Sequence, residues 1–166
     1  TSATTMVSGH VNVAGFYKAK VTDAYPLVTG CERLRNIVMK NVPGIDYVID
    51  RARGWGKLTS ESASIQVSLS GIDVDEEQAF LSKIRLVEQR EYKEGGADRI
   101  VGDVTKLKEP NTVLLFTGQA KRLAVDVGDV LTITTESLDG SVNTADVRVV
   151  AVAKDVGFMS NWSLFV

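Results

Sequence analysis

A single histidine, His10, stands among the 166 residues, so no multi-histidine metal site can form and a Ser-His pair could be built only beside residue 10. An ordinary surface or strand residue is the favoured reading of it. Asp73, Asp75, Glu76 and Glu77 cluster the oxygen ligands that calcium prefers. In a helix-loop-helix calcium register that starts at Asp73, however, Gln78 falls where Gly is required and Ile84 where the bidentate Glu belongs. Helix capping accounts for the cluster better, with Asp75 as cap, an acidic first turn and Gln78 three residues on. Gly54-Trp55-Gly56-Lys57 shares its glycines and lysine with phosphate-binding loops, yet neither pattern completes. A dinucleotide loop needs Gly where Thr59 sits, and a nucleotide P-loop needs Gly and Ser/Thr where Arg51 and Leu58 stand.

Arg51, Arg53, Trp55 and Lys57 together admit two readings. One is a small basic aromatic patch for nucleic acid or an anionic headgroup. The other, which is favoured, is a strand edge ending in a glycine-rich turn with its cations in solvent. Asn161-Trp162-Ser163 matches the glycosylation triplet, which has meaning only in a secreted eukaryotic chain. No Gly-x-Ser-x-Gly elbow is present, and no candidate nucleophile has a base, an orienting partner and a cradle in view. The chain is therefore not read as an enzyme. No catalytic, cofactor-binding or metal-ligating residue is assigned, no cofactor is expected, and the substrate- or partner-binding residues stay unassigned.

Composition narrows the remaining classes. At roughly 150 residues per domain the length suits one domain, or one domain with a lobe. Hydrophobic content of 44% with 24% charged residues excludes a disordered chain. The 19 basic against 21 acidic residues leave a net charge of −2, which argues against nucleic acid as a partner. Cys31 is the only cysteine, so there is neither an internal disulfide nor a cysteine zinc cluster. The longest apolar runs, residues 113–116 and 149–153, fall far short of the roughly 20 that cross a bilayer. The opening Thr1-Ser2-Ala3-Thr4-Thr5 lacks the basic and apolar segments of a secretory signal. Addressing and anchoring segments are accordingly expected outside this stretch, and residues 1–8 read as a frayed start.

The periodicity predicts a strand within residues 10–20 and a helix over 26–41. In that helix Leu27, Cys31, Leu34 and Val38 share one face, which implies a buried, inert Cys31, and Pro43-Gly44 ends it. Ile45, Tyr47 and Ile49 predict a strand running toward Arg53, and the cleaner alternation of Ile65, Val67 and Leu69 predicts a half-buried strand paired with it. A short helix opened by Asp75 turns Ala79, Phe80 and Ile84 inward. Residues 88–108, charged and holding Gly95-Gly96, read as exposed and dispensable turns with one short strand at 100–104. A buried strand at 113–116, a helix at 118–125 showing Lys121 and Arg122, and strands at 130–135 and 142–153 joined by Asp139-Gly140 complete the pattern. Val147, Val149 and Ala151 face inward on the last of these. Trp162, Leu164, Phe165 and Val166 end the chain as a core strand or as one leading onward. The class is α+β, strand-rich with about three short helices: a βαβ unit followed by a mixed/antiparallel β lobe, with residues 9–58 and 59–166 as lobes of one core domain.

Three stretches add a resemblance. Leu114-Leu115-Phe116-Thr117-Gly118-Gln119-Ala120-Lys121-Arg122-Leu123, followed by Val125-Asp126-Val127-Gly128-Asp129-Val130-Leu131-Thr132-Ile133, Asp139-Gly140 and Arg148-Val149-Val150-Ala151-Val152, resembles a family pattern. That pattern is the strand, short helix, "Leu-x-Val-x-x-Gly-Asp" and hairpin of the extracytoplasmic domain in ABC transporter permeases of the macrolide-efflux and lipoprotein-release type. Val67-Ser68-Leu69-Ser70-Gly71-Ile72-Asp73 with Glu76-Glu77 is similar to its "Gly-Ile-Asp-Pro-x-x-Glu" step, and Val42-Pro43-Gly44-Ile45 with Ile49-Asp50-Arg51-Ala52-Arg53 to its "Pro-Gly-Val … Pro-Arg" crossing. Order and spacing agree over residues 9–166. Val74 stands where the family often has Pro and Ala151 where it has Gly, and the family's domain usually continues with a further βαβ segment.

The resemblance implies a periplasmic domain of an inner-membrane protein that does no chemistry itself but couples ATP-driven helix motion to lipoprotein release or efflux. Its implied partners are an ABC ATPase subunit, a second permease subunit, and a periplasmic chaperone or adaptor protein. Phe16, Tyr17, Trp55, Met159 and Trp162 are the apolar candidates for a binding surface, although core is the favoured reading of each. A free-standing β-rich binding module using the Gly128-Asp129 hairpin is the alternative.

Overall fold

The computed structural model describes residues 9, 11–13, 15, 17–18, 24–25, 28–137, 140–157, 160 and 163–166, with only the backbone described at 17, 18, 24, 25, 163 and 164. His10, Phe16, Asp139, Met159, Asn161 and Trp162 lie outside these residues. The chain divides into two compact units, residues 8–50 and residues 51–166, the latter together with 1–7.

In the smaller unit, strands β1 (Tyr17–Lys18) and β2 (Ala24–Tyr25) pair antiparallel. Helix α1 (Cys31–Asn41) begins five residues later than the periodicity predicts, because Gly30 in the left-handed region (φ 70°) breaks the turn before it. Its end is satisfied by the Val42 amide on the Val38 carbonyl and by Asn41 Nδ2 on the Ile37 carbonyl. None of its residues is buried; Cys31 is half-buried, with Sγ 3.6 Å from the Val28 carbonyl. The burial of Cys31 that the sequence reading expects is thus only partial. The strand predicted at 45–49 is also absent: Ile45, Tyr47 and Ile49 alternate, but no neighbouring strand is hydrogen-bonded to them, and alternation without a ladder is not a strand.

The larger unit is a closed barrel. Strands β3 (Arg53–Thr59), β4 (Ser64–Ser70), β5 (Thr112–Phe116), β6 (Val130–Glu136), β7 (Val142–Ala153) and β8 (Ser163–Phe165) follow the order β3-β4-β8-β5-β7-β6. β4 with β8 and β5 with β7 run parallel, and the other neighbours antiparallel. The molecule is α+β and strand-rich, as its patterning predicts. Alternate residues of the strands, among them Leu58, Val67, Val113, Leu115, Ile133 and Val147, fill the barrel. A second cluster lies on the other side of β5 and β7, where Leu114, Phe116 and Ala151 meet Phe80, Leu81 and Phe165. β5 is therefore buried on both faces, which explains its unbroken apolar run. A register shift between Val113 and Leu114 skips Val150, so Val150 and Ala151 both face the second cluster while Val149 and Val152 on either side face the first.

Helix α2 (Gln78–Leu81) and helix α3 (Thr117–Leu123) connect the strands. At the start of α3 the buried Gln119 side chain accepts the Phe116 amide at 3.0 Å. At its end the Leu123 carbonyl accepts from Ser60 Oγ (2.7 Å) and Ser62 Oγ (3.1 Å) of the β3–β4 turn. Residues 88–108 are not dispensable turns. They hold the short 3-10 helices Gln89–Glu91 and Val104–Lys108, with Tyr92 and Leu107 buried, and the predicted strand at 100–104 reduces to one bridge between Glu88 and Ile100.

Candidate functional site

The acidic cluster does not form one site. The expected Asp75 cap does not form: Asp73 Oδ1 accepts the amides of Asp75 (2.9 Å) and Glu76 (3.0 Å) and closes the turn ahead of α2, which itself starts after Glu77 without a side-chain cap. Asp75 pairs in solvent with Lys108. Glu77 turns inward to 1% exposure and meets Arg51, whose Nε donates to Oε1 at 3.1 Å while Nη2 donates to Oε2. The side chains are 6% and 0% exposed. Arg51 also stacks its guanidinium 5.2 Å from the Phe80 ring centre, and Phe165 of β8 packs edge-on against Phe80 (5.2 Å) and Phe116 (5.8 Å). A reading that spent Glu77 on helix capping missed its partner, because 26 residues separate it from Arg51. Ala79 points to solvent and Ile84 is half-buried; Leu81 joins Phe80 inside instead.

A second polar centre is Asp126, inside the Val125-Asp126-Val127-Gly128-Asp129 stretch. Its carboxylate accepts from Gln89 Nε2 (2.6 Å), Tyr92 Oη (3.0 Å), Lys93 Nζ (2.6 Å) and the Val127 amide (2.7 Å). Burial by itself pushes this carboxyl up, but the Lys93 ammonium and the three other donors outweigh it and hold it below the ordinary aspartate value. Burial, with the Asp126 carboxylate behind it, pushes the Tyr92 phenol far above its ordinary value. Asp129 Oδ2 accepts the Asp126 amide (2.8 Å), and the Gly128 amide and Asp129 carbonyl bond the two sides of Val149. Gly128 holds φ 101°, which only glycine adopts without strain. The turn that the alternative reading assigns to a ligand thus makes these internal bonds, with Gly128 and Asp129 exposed at its tip.

The third group lies outside the barrel wall. Arg53, Trp55 and Lys57 are exposed on one face of β3, Trp55 to 67%, whereas Arg51 is spent on Glu77. Of the other apolar candidates, Phe16, Met159, Trp162 and the Tyr17 side chain lie outside the described residues. Among the described residues no group of three or more His, Cys, Asp and Glu could hold a metal ion, and no helix is long and apolar enough to cross a membrane.

The fold thus defines a strand-rich α+β chain built around a closed barrel with a buried Arg51–Glu77 pair, a half-buried Asp126 centre and an exposed Trp55. No family model matches the chain, and no curated protein does. Among solved structures it is similar to the extracellular domain of the noncanonic ABC-type transporter YknZ from Gram-positive bacteria, at 14% identity and a TM-score of 0.46. The similarity covers 81% of this chain and 60% of that one, so the chain spans less than two thirds of that domain's length.

Proposed function

We propose that this chain is the extracytoplasmic domain of an ABC-type permease of the lipoprotein-release or efflux type, passing ATP-driven membrane-helix motion to cargo outside the membrane. The observation that supports the reading most is where the permease-like stretches fall. The Leu123-to-Asp129 turn, β5, α3, β6 and β7 form one continuous run of the barrel, and the Gly71-Ile72-Asp73 step is bonded to the C-terminal strand through the Ile72 amide and the Val166 carbonyl (3.0 Å). A motif run that builds the frame itself, with its polar groups spent on internal bonds, suits a part that transmits displacement. On this reading the domain stands on the periplasmic side of the inner membrane. Its partners are an ABC ATPase, a second permease subunit and a periplasmic chaperone or adaptor, and it is a fragment of a longer membrane protein.

The experiment is to sequence the parent reading frame outward from Thr1 and Val166. The expected result is an apolar run of roughly 20 residues upstream, three more downstream and an adjacent ATPase gene. A frame that opens with a cleavable signal and stops near Val166 refutes the reading and leaves a free-standing binding module.

A further inference from the structure

Strand β7 outruns its neighbour on one side. Its residues Val142 to Arg148 pair with β6, but β5 reaches back only to Arg148, opposite Thr112. From Val142 to Val147 the edge of β7 that faces away from β6 therefore has no strand beside it among the described residues. Three bonds fix the backbone direction along β7. The Ser141 carbonyl accepts the Ser137 amide, the Val149 amide donates to the Asp129 carbonyl, and the Val149 carbonyl accepts the Gly128 amide, so odd-numbered residues point toward β6. Arg148 points the other way and donates to the Asn111 carbonyl. By the alternation of an antiparallel ladder, Val142, Thr144 and Asp146 direct their amides and carbonyls out of the free edge, and none of these groups has a partner among the described residues. Every residue from Val142 to Asp146 is exposed, Val142 to 68%.

Natural sheets blunt such an edge with lysine, proline, a bulge or a covering segment. The stretch Val142-Asn143-Thr144-Ala145-Asp146 carries no lysine or proline, its register with β6 is unbroken, and its one charge is engaged by Thr132 Oγ1 at 2.8 Å. An edge that recognises a foreign peptide adds pockets for alternate side chains. Beside this one stand Thr132, Thr134, Asn143 and Ala145, too short to wall a pocket. A second copy of the same edge needs no pocket. We propose that two copies of this chain pair antiparallel through β7, about a two-fold axis at Thr144. In that register Thr144 lies opposite its own copy, Val142 opposite Asp146 and Asn143 opposite Ala145, so every bare amide and carbonyl of the edge gains a partner. Charge permits the pairing: no like charges face each other across the axis, and the two Asp146 carboxylates stand roughly 14 Å apart. On the outer face Thr134, Thr144 and their copies then lie side by side across the joint, a threonine row of the kind that stabilises paired strands. The pairing rests on backbone groups and does not depend on the transport reading.

The test is sedimentation equilibrium of the full chain from about 10 µM to about 1 mM. A joint of one short strand pair is a small interface, so the expected result is a monomer–dimer equilibrium with its midpoint in the upper part of that range. Thr144→Pro should raise the midpoint at least about tenfold, because both copies lose the central amide. That amide faces away from β6, so the ladder within the chain survives, and an unchanged unfolding midpoint will show that the variant folds. Thr144→Lys and Thr144→Glu should each weaken the dimer at least about fivefold by setting like charges opposite each other, and an equimolar mixture of the two should restore pairing to within about threefold of the parent. Lys121→Glu, on the exposed face of α3, should shift the midpoint less than about twofold. The proposal is overturned by a chain that stays monomeric at about 1 mM, by a dimer indifferent to Thr144→Pro, or by a mixture that fails to restore pairing. A monomer whose amides at 142, 144 and 146 become protected from exchange by a Val-Thr-Val-Thr-Val peptide also overturns it, and assigns the edge to a foreign strand.

Discussion

Replacing Arg51 by Met should destabilise the barrel more than any surface change, because Glu77, at 1% exposure, would keep a buried carboxylate without its two guanidinium donors. Breaking a buried pair from one side costs about 3–5 kcal/mol. With a urea slope of about 2 kcal/mol per molar, the unfolding midpoint should fall by about 2 M. Glu77→Leu should cost a similar amount by stranding Arg51, which is 6% exposed beside the Phe80 ring. The double variant Arg51→Met/Glu77→Leu removes both charges and leaves apolar atoms against Phe80, so it should lose less than either single change. The cycle should return a coupling of at least about 2 kcal/mol. Urea unfolding of the four proteins, followed by far-ultraviolet circular dichroism, measures it. If the single losses add to within about 0.5 kcal/mol, the pair is not an energetic unit and the account of this corner is wrong.

Asp126, whose folded carboxyl is held low, adds stability that is fully present above the ordinary aspartate value near 3.9 and disappears as pH falls through its lower folded value. Asp126→Asn should therefore unfold at lower urea than the parent at pH 7, by about 1–3 kcal/mol, and the gap should close below about pH 4; a gap constant with pH refutes the assignment. Tyr92, pushed up, should stay protonated while the chain is folded, so the phenolate absorbance gained at pH 11 should be the same in Tyr92→Phe as in the parent; a loss of about one tyrosine's worth in the variant refutes it. Gly102 holds φ 130°, and a Cβ there would sit 2.8 Å from the Val150 carbonyl oxygen, so Gly102→Ala should cost about 1–3 kcal/mol in a thermal melt. Cys31, half-buried, should react with a thiol reagent in the native protein, more slowly than after unfolding; protection until the fold melts would restore the buried reading.

Local pattern was enough wherever a segment's own alternation faced one core. Ile65 and Val67 placed β4 on the barrel wall, and the stretch from Val142 to Ala153 reads as the strand that forms, with Val147 and Val149 turned into the barrel but Ala151 carried to the second cluster by the register shift. The same reasoning failed at Ile45, Tyr47 and Ile49, where the alternation is real but no second strand bonds to it. It also failed at residues 88–108, where charge and glycines hid the buried Tyr92 and Leu107.

What the amino-acid order settles here is the α+β class, the short helix after β5, the hairpin pair β6 and β7, and the poverty in histidine and cysteine that limits metal chemistry. Those properties depend on neighbours within a few residues or on composition alone. Tertiary structure decided that β8 closes the barrel between β4 and β5, that Glu77 is buried against an arginine 26 positions away instead of capping a helix, and that Asp126 gathers donors from a segment more than thirty positions upstream. It also decided that Trp55 faces solvent while Gly56 beside it faces the core. An isolated sequence window carries no record of which distant group will arrive next to it. Burial, which makes an ion pair strong and an exposed indole conspicuous, exists only once the barrel has closed.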